Sequence, residues 1–166
     1  IGIINVLGRV FMPPMESPWQ IVIEEIKRLK NEGVTSIFID FHAEATAEKI
    51  CFAKYLANEF NTEEKALIKG FFGTHTHVQT ADEQIMGNMA YITDVGFCGV
   101  QNSVIGMDYQ TSLNRFTTVI PERYEVANGD IVQINAVEVE INPQNGYAVD
   151  IKRIMVLDDK RKIEKI

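Results

Sequence analysis

The hydrophobic positions of this chain fall into two styles, and the change between them comes near Pro121. Before it, short apolar runs alternate with amphipathic stretches. Residues 3–7, 34–41, 68–72 and 90–93 read as strands, β-branched and largely apolar, as strands buried on both faces are. Trp19 to Asn31 places apolar residues at Ile21, Val22, Ile26 and Leu29, with acids early and Lys/Arg late. That is an amphipathic helix with charges matched to its dipole. Ser17 stands at its cap, Pro18 at its first helical position and Gly33 at its stop. Gly8 to Pro18 is a loop, because Pro13, Pro14 and Pro18 bar a helix interior. Ala43 to Phe60, rich in Ala, Glu, Lys and Leu, reads as a second helix, and Asn61 to Glu64 as another short turn or helix. Asp94-Val95-Gly96 closes the strand at 90–93. Gly96 to Gly106 reads as a loop, and Asp108 to Phe116 as a brief helix.

After Pro121 the pattern predicts strands over 123–127, 130–141 and 147–157. The turns between them, Ala127-Asn128-Gly129-Asp130 and Asn142-Pro143-Gln144-Asn145-Gly146, are hairpin signals. Strands alternating with helices, followed by hairpins, predict an α/β layered fold with an antiparallel portion, one domain over residues 1–166. The charged stretch from Asp158 to Lys165 reads as a solvated end.

Composition narrows this picture without changing it. The chain has 166 residues, 46% of them hydrophobic, enough for one core. A net charge of −7 argues against a broad nucleic-acid surface but leaves room for one small nucleotide. Cys51 and Cys98 are far apart, fit no C-x-x-C pattern and read as free thiols, so a cytoplasmic location is expected. No apolar stretch approaches the ~20 residues of a membrane span, and no signal-peptide pattern is visible. The chain opens without Met, directly into an apolar run, as a piece cut from a longer chain does.

The histidines carry the chemistry. His42 lies in Asp40-Phe41-His42-Ala43-Glu44, and His75 and His77 lie in Gly73-Thr74-His75-Thr76-His77; there is no other histidine. Both motifs follow an apolar strand, and strand ends are where open α/β sheets bind ligands. Histidine is the commonest protein ligand for transition metals. Were residues 75–77 extended, His75 and His77 would project to the same side. Phe38, Asp40 and His42 share one side of their strand, and Asp40 can orient a metal ligand through a hydrogen bond. Glu44 is a ligand, an acid/base group or, as first choice, a carboxylate in the first helical turn. Three histidines suit a single zinc, or equally one side of a binuclear site completed by oxygen ligands. Asp82 and Asp94 are weak candidates for that remainder, each with a loop or turn role available. Thr74, Thr76 and Gln79 stand near the motifs without an assignable role.

Other chemistries find no support. The H-x-E of zinc deaminases needs a following P-C-x-x-C, which is absent. There is no G-x-S-x-G, no Walker motif and no dinucleotide fingerprint.

Residues 37–46 (Ile-Phe-Ile-Asp-Phe-His-Ala-Glu-Ala-Thr), 73–82 (Gly-Thr-His-Thr-His-Val-Gln-Thr-Ala-Asp) and 91–96 (Tyr-Ile-Thr-Asp-Val-Gly), with Ser103 to Asp108, together resemble the YmdB family of calcineurin-like metallophosphoesterases. The resemblance runs from about Val6 to Ile154. It implies a four-layer α/β/β/α sandwich and hydrolysis of phosphodiesters, including 2′,3′-cyclic nucleotides. It implies two divalent ions, iron, manganese or magnesium, with His42 and His75 on one and His77 on the other. Such ions polarise phosphoryl oxygens and supply the hydroxide for in-line attack. A homo-oligomer is also compatible with it.

The chain departs from the family in lacking the Gly-Asp-x-x-Gly, Gly-Glu-Asn and Gly-Asn-His elements that supply the other ligands and the proton-donating histidine. It reads as roughly the C-terminal three-fifths of such a protein, with the catalytic acid outside it. It also carries a longer segment around Asn58 to Lys65 than the family pattern leads one to expect. The expectation is weak metal binding, little or no activity alone, and a central sheet with an uncovered edge. The alternative is a non-catalytic metal-binding or regulatory module that keeps the histidines.

Overall fold

The computed structural model describes residues 1–13, 16–61, 66–118 and 120–159. Among them lie strands β1 (Gly2–Leu7), β2 (Ile37–His42), β3 (Ile68–Thr74), β4 (Gln84–Met86), β5 (Met89–Ile92), β6 (Cys98–Val100), β7 (Ile131–Ile141) and β8 (Ala148–Asp159). Three helices accompany them: α1 (Pro18–Asn31), α2 (Thr46–Phe60) and α3 (Tyr109–Thr118). The first sheet has the order β1-β2-β3-β5-β4, parallel except for β4, and the second is antiparallel with the order β6-β7-β8.

Alternate residues of the same strands feed two different cores, which is why these strands read as continuous apolar runs. Ile39 and Phe41 of β2, Phe71 of β3 and Tyr91 of β5 pack with Val22 and Ile26 of α1 and Phe52 and Leu56 of α2. Phe72 of β3, with Ala90 and Ile92 of β5, packs instead on Val137, Val139, Ala148 and Ile151 of the second sheet. The described residues therefore stack helices, a mixed sheet and an antiparallel sheet. β1 forms one edge of the first sheet, and Ile3 on it is 77% exposed.

Several boundaries differ from the sequence expectation. β2 begins at Ile37 rather than Val34, because Gly33 (φ 82°) and Val34 close α1: the N–H of Val34 donates to Leu29 O at 3.0 Å. Ser17 caps α1 by position, but its side chain makes no capping bond. α2 begins at Thr46 rather than Ala43, because Ala43 N–H still donates to Thr74 O and extends the sheet. Residues 98–100, expected in a loop, pair with β7 as β6, and β4 was not anticipated. Residues 123–127 form no strand: they make a single bridge, Val126 to Met107, so the turn at 127–130 joins no hairpin. The turn at 142–146 does join β7 to β8, with Gly146 at φ 71° and its N–H on Asn142 O at 2.8 Å. Asp158 and Asp159 belong to β8 rather than to a solvated tail. The rest of that tail, and the turn or helix expected at 62–64, fall outside the described residues. Both cysteines are free thiols. No helix among the described residues is long and apolar enough to cross a membrane.

Candidate metal centre

The parallel register places Leu7, His42 and Thr74 side by side at the C-terminal edge of the first sheet. On β2 the alternation buries Ile37, Ile39 and Phe41 and turns Phe38, Asp40 and His42 to the half-buried side. Asp40 accepts from Asn5 Nδ2 at 2.7 Å and from Thr74 Oγ1 at 2.8 Å. Thr74 Oγ1 lies 3.0 Å from His42 Nδ1. A hydroxyl that donates to a carboxylate accepts from the ring, so His42 carries its proton on Nδ1 and presents the Nε2 lone pair.

That Nε2 faces His75 Nδ1 at 3.0 Å, with the rings at 81°. On its other side, His75 Nε2 lies 2.6 Å from Glu44 Oε2. Glu44 therefore stands before α2, not in its first turn, and its carboxylate is spent on a histidine. Burial, with the neighbouring His75 ring, lowers the His42 pKa below the ordinary value, and Asp40 opposes that shift.

His75 and His77 are not carried on an extended segment. β3 ends at Thr74, and the chain then bends with His75 at φ 124° and His77 at φ 60°. Positive φ at two non-glycine residues is strained backbone of the kind that clusters at functional sites. The bend sends the two rings to different partners instead of one side. His77 Nδ1 donates to Ile105 O at 2.9 Å, and its ring stacks on Phe97 with centroids 6.0 Å apart at 14°.

The weak candidates have other employment. Asp82 accepts from the backbone and hydroxyl of Thr93. Burial opposes ionisation there, but hydrogen bonds from Thr80 and Thr93 hold its carboxyl below the usual range. Asp94 is fully buried and paired with Lys49 Nζ at 3.2 Å. Among the described residues, no group of three or more His, Cys, Asp or Glu converges on a point where an ion could sit. The three histidines thus do not make a single-zinc site among themselves.

What is present fits one side of a metal centre. Two ring nitrogens 3.0 Å apart have the separation of neighbouring ligands on a six-coordinate ion at about 2.1 Å. Each histidine ties its second nitrogen to a partner: His42 to Thr74, His75 to Glu44, His77 to Ile105 O. Metal-binding imidazoles are oriented in this way. The His42 and His75 nitrogens face each other at hydrogen-bond distance, and an ion held between them would take the place of that contact.

Sequence reasoning missed Lys49 and Phe97, and named Thr74 without a role. The signal for Lys49 was available, since it falls on the apolar stripe of α2 with Phe52, Ala53 and Leu56. Thr74 and Phe97 gave none, because their roles come from register and loop closure. Gln79 donates to Ala136 O at 3.0 Å, tying the histidine loop to the second sheet.

The chain thus carries strand-end histidines on a mixed α/β sheet, and comparison with known proteins gives its family. The profile described as YmdB-like protein matches residues 1–154, and the chain belongs to this family. It is 41% identical over 164 residues to a 2′,3′-cyclic-nucleotide 2′-phosphodiesterase of Bacillus subtilis (strain 168), covering 96% of this chain and 57% of that protein. A solved structure of a novel phosphatase from Mycoplasma pneumoniae superposes with a TM-score of 0.79 at 31% identity, over 99% of this chain and 56% of the other. A structure of a hypothetical protein from Thermus thermophilus gives 0.81 at 30% identity, over 94% and 57%. The chain thus spans somewhat more than half the length of these relatives.

Proposed function

We propose that this chain forms part of a metal-dependent phosphodiesterase acting on 2′,3′-cyclic nucleotides or similar small phosphodiesters. The observation that carries the reading is the facing pair of His42 Nε2 and His75 Nδ1, 3.0 Å apart at the sheet edge. His42 and His75 would hold one divalent ion and His77 a second, with iron, manganese or magnesium as the fitting ions. Asp40 acts on His42 through Thr74, and Glu44 acts on His75 directly; both orient the rings rather than touch substrate. Ions held here would stabilise the charge that develops on a phosphoryl group. The remaining ligands and the acid for the leaving group would come from the portion of such proteins that this chain does not span. The assembled fold would be the four-layer sandwich, working in the cytoplasm, with open sheet edges through which copies could associate.

The 166 residues alone are then expected to bind metal weakly and to turn over little or no substrate. Three neutral imidazoles do not offset two divalent cations without carboxylates. The test is hydrolysis of 2′,3′-cyclic AMP with added Mn²⁺, by this chain and by a protein of the relatives' full length. Activity confined to the longer protein supports the reading. Robust turnover by this chain alone would overturn the division of the site, and an inactive longer protein that still binds metal would favour a non-catalytic module.

A further inference from the structure

Beneath the histidine turn lies a buried ion pair that the ligand assignment does not use. The side chains of Lys49 and Asp94 are both inaccessible to solvent, with Nζ 3.2 Å from Oδ2. Two charges held this deep are tolerable only where hydrogen bonds satisfy the remaining lone pairs. Asp94 achieves that: Oδ2 also accepts the Thr76 N–H at 2.8 Å, and Oδ1 accepts the Gly96 N–H at 2.9 Å. Its own N–H donates to Thr80 Oγ1 at 2.9 Å, and its carbonyl accepts from Thr80 N at 3.1 Å.

These partners are not incidental. Thr76 is the residue between His75 and His77, and Gly96 leads directly to Phe97, whose ring lies on His77. One carboxylate therefore holds both the turn that carries two histidines and the segment that packs against the second. Gly73 belongs to the same arrangement. A Cβ there would lie 1.7 Å from Thr93 O and 2.9 Å from Lys49 Cδ, so only glycine lets β3, α2 and residues 93–96 close together.

We propose that Asp94, anchored by Lys49, is a positioning residue that sets the His75 and His77 rings relative to each other and to His42. It is not itself a ligand, since its two oxygens already serve Lys49, Thr76 and Gly96. Its effect on metal affinity rests on the function proposed above; its effect on ring geometry does not.

The test compares two variants that bury no charge, K49M/D94N and K49M/D94L, in the 166-residue chain. K49M/D94N keeps one acceptor oxygen, enough for the Thr76 N–H or the Gly96 N–H but not for both, and K49M/D94L keeps none. NMR reads the ring contacts His42–His75 and His77–Phe97 and the exchange protection of the Thr76 amide. Mn²⁺ titration reads affinity. K49M/D94N, with its oxygen on the Thr76 N–H, is expected to keep the His42–His75 contact and to bind Mn²⁺ more tightly than K49M/D94L. K49M/D94L is expected to lose the contacts, and its Mn²⁺ affinity to fall about 10–100-fold, as when the support of a metal ligand is removed. Wild-type ring contacts in K49M/D94L overturn the proposal. So does a K49M/D94N protein that loses the His42–His75 contact while Thr76 stays protected. If wild type binds no Mn²⁺, the metal reading fails while the ring contacts still decide the role of Asp94.

Discussion

At His42 the backbone is regular. β2 runs between β1 and β3, the pleat aims the ring, and Asp40 on the same face steadies it through Thr74. At His77 the backbone sits at φ 60°, outside any strand, and the ring is held by the Ile105 carbonyl and the Phe97 ring. One histidine is placed by sheet register, the other by loops tied to a buried carboxylate. Register is set by many ladder bonds together, whereas the loop arrangement rests on a few groups. Single substitutions should therefore disturb the His77 side far more than the His42 side.

The largest expected effect comes from splitting the Lys49–Asp94 pair. Removing one partner alone, by D94N or K49M, leaves a buried charge uncompensated and should cost about 3–5 kcal/mol in urea unfolding. A loss below about 1 kcal/mol, the range of an exposed pair, would show that the pair does not anchor this region. Next is Gly73→Ala, whose methyl meets the Thr93 carbonyl. Displacing backbone in a closed core costs about 1–3 kcal/mol, and the perturbation should spread to Thr76 and His77 before reaching His42. Amide shifts across β2 and the turn at 75–78 check that order.

A smaller effect is predicted on the His42 side. Thr74→Val removes the hydroxyl between Asp40 and His42 but leaves the ladder, so about 1 kcal/mol of stability is lost. Divalent-metal affinity should fall about tenfold or more, because the ring loses its orienting partner. Unchanged affinity in a folded T74V protein would remove the role given to Asp40. The smallest effect is that of pH. His42 has a lowered pKa in the folded chain, so the unfolded chain takes up its proton more readily. The stability it contributes is complete above the ordinary histidine value near ~6.5 and is lost as pH falls below that value toward the folded one. Urea midpoints of wild type and H42Q, measured between about pH 5 and 8, should converge toward the acid end. A midpoint that rises on acidification would reverse the sign.

The same contrast explains what the sequence made legible. β1, β2, β3 and the two helices preceding β3 announce themselves through apolar periodicity, since Phe41, Phe52 and Phe71 must be buried whatever the details. His42 was legible for that reason: Asp40 and His42 fall on the half-buried side by simple alternation. The bend at His75 was not, because positive φ at a histidine has no local signal, and the next residue, Thr76, is held by Asp94, 18 positions away. Glu44 was misplaced for a similar reason. Its composition suits a first helical turn, but the ladder bond from Ala43 to Thr74 delays the helix to Thr46 and frees its carboxylate for His75. β6 escaped notice because Cys98-Gly99-Val100 has too little pattern of its own and is a strand only through β7.

An anomalous-scattering map from crystals of this chain soaked in Mn²⁺ decides whether His42 and His75 share an ion. If they do, a single dominant peak lies between His42 Nε2 and His75 Nδ1, within about 2.0–2.3 Å of both. A peak on His77 alone, or an ion held by Asp94 with none between His42 and His75, would contradict it.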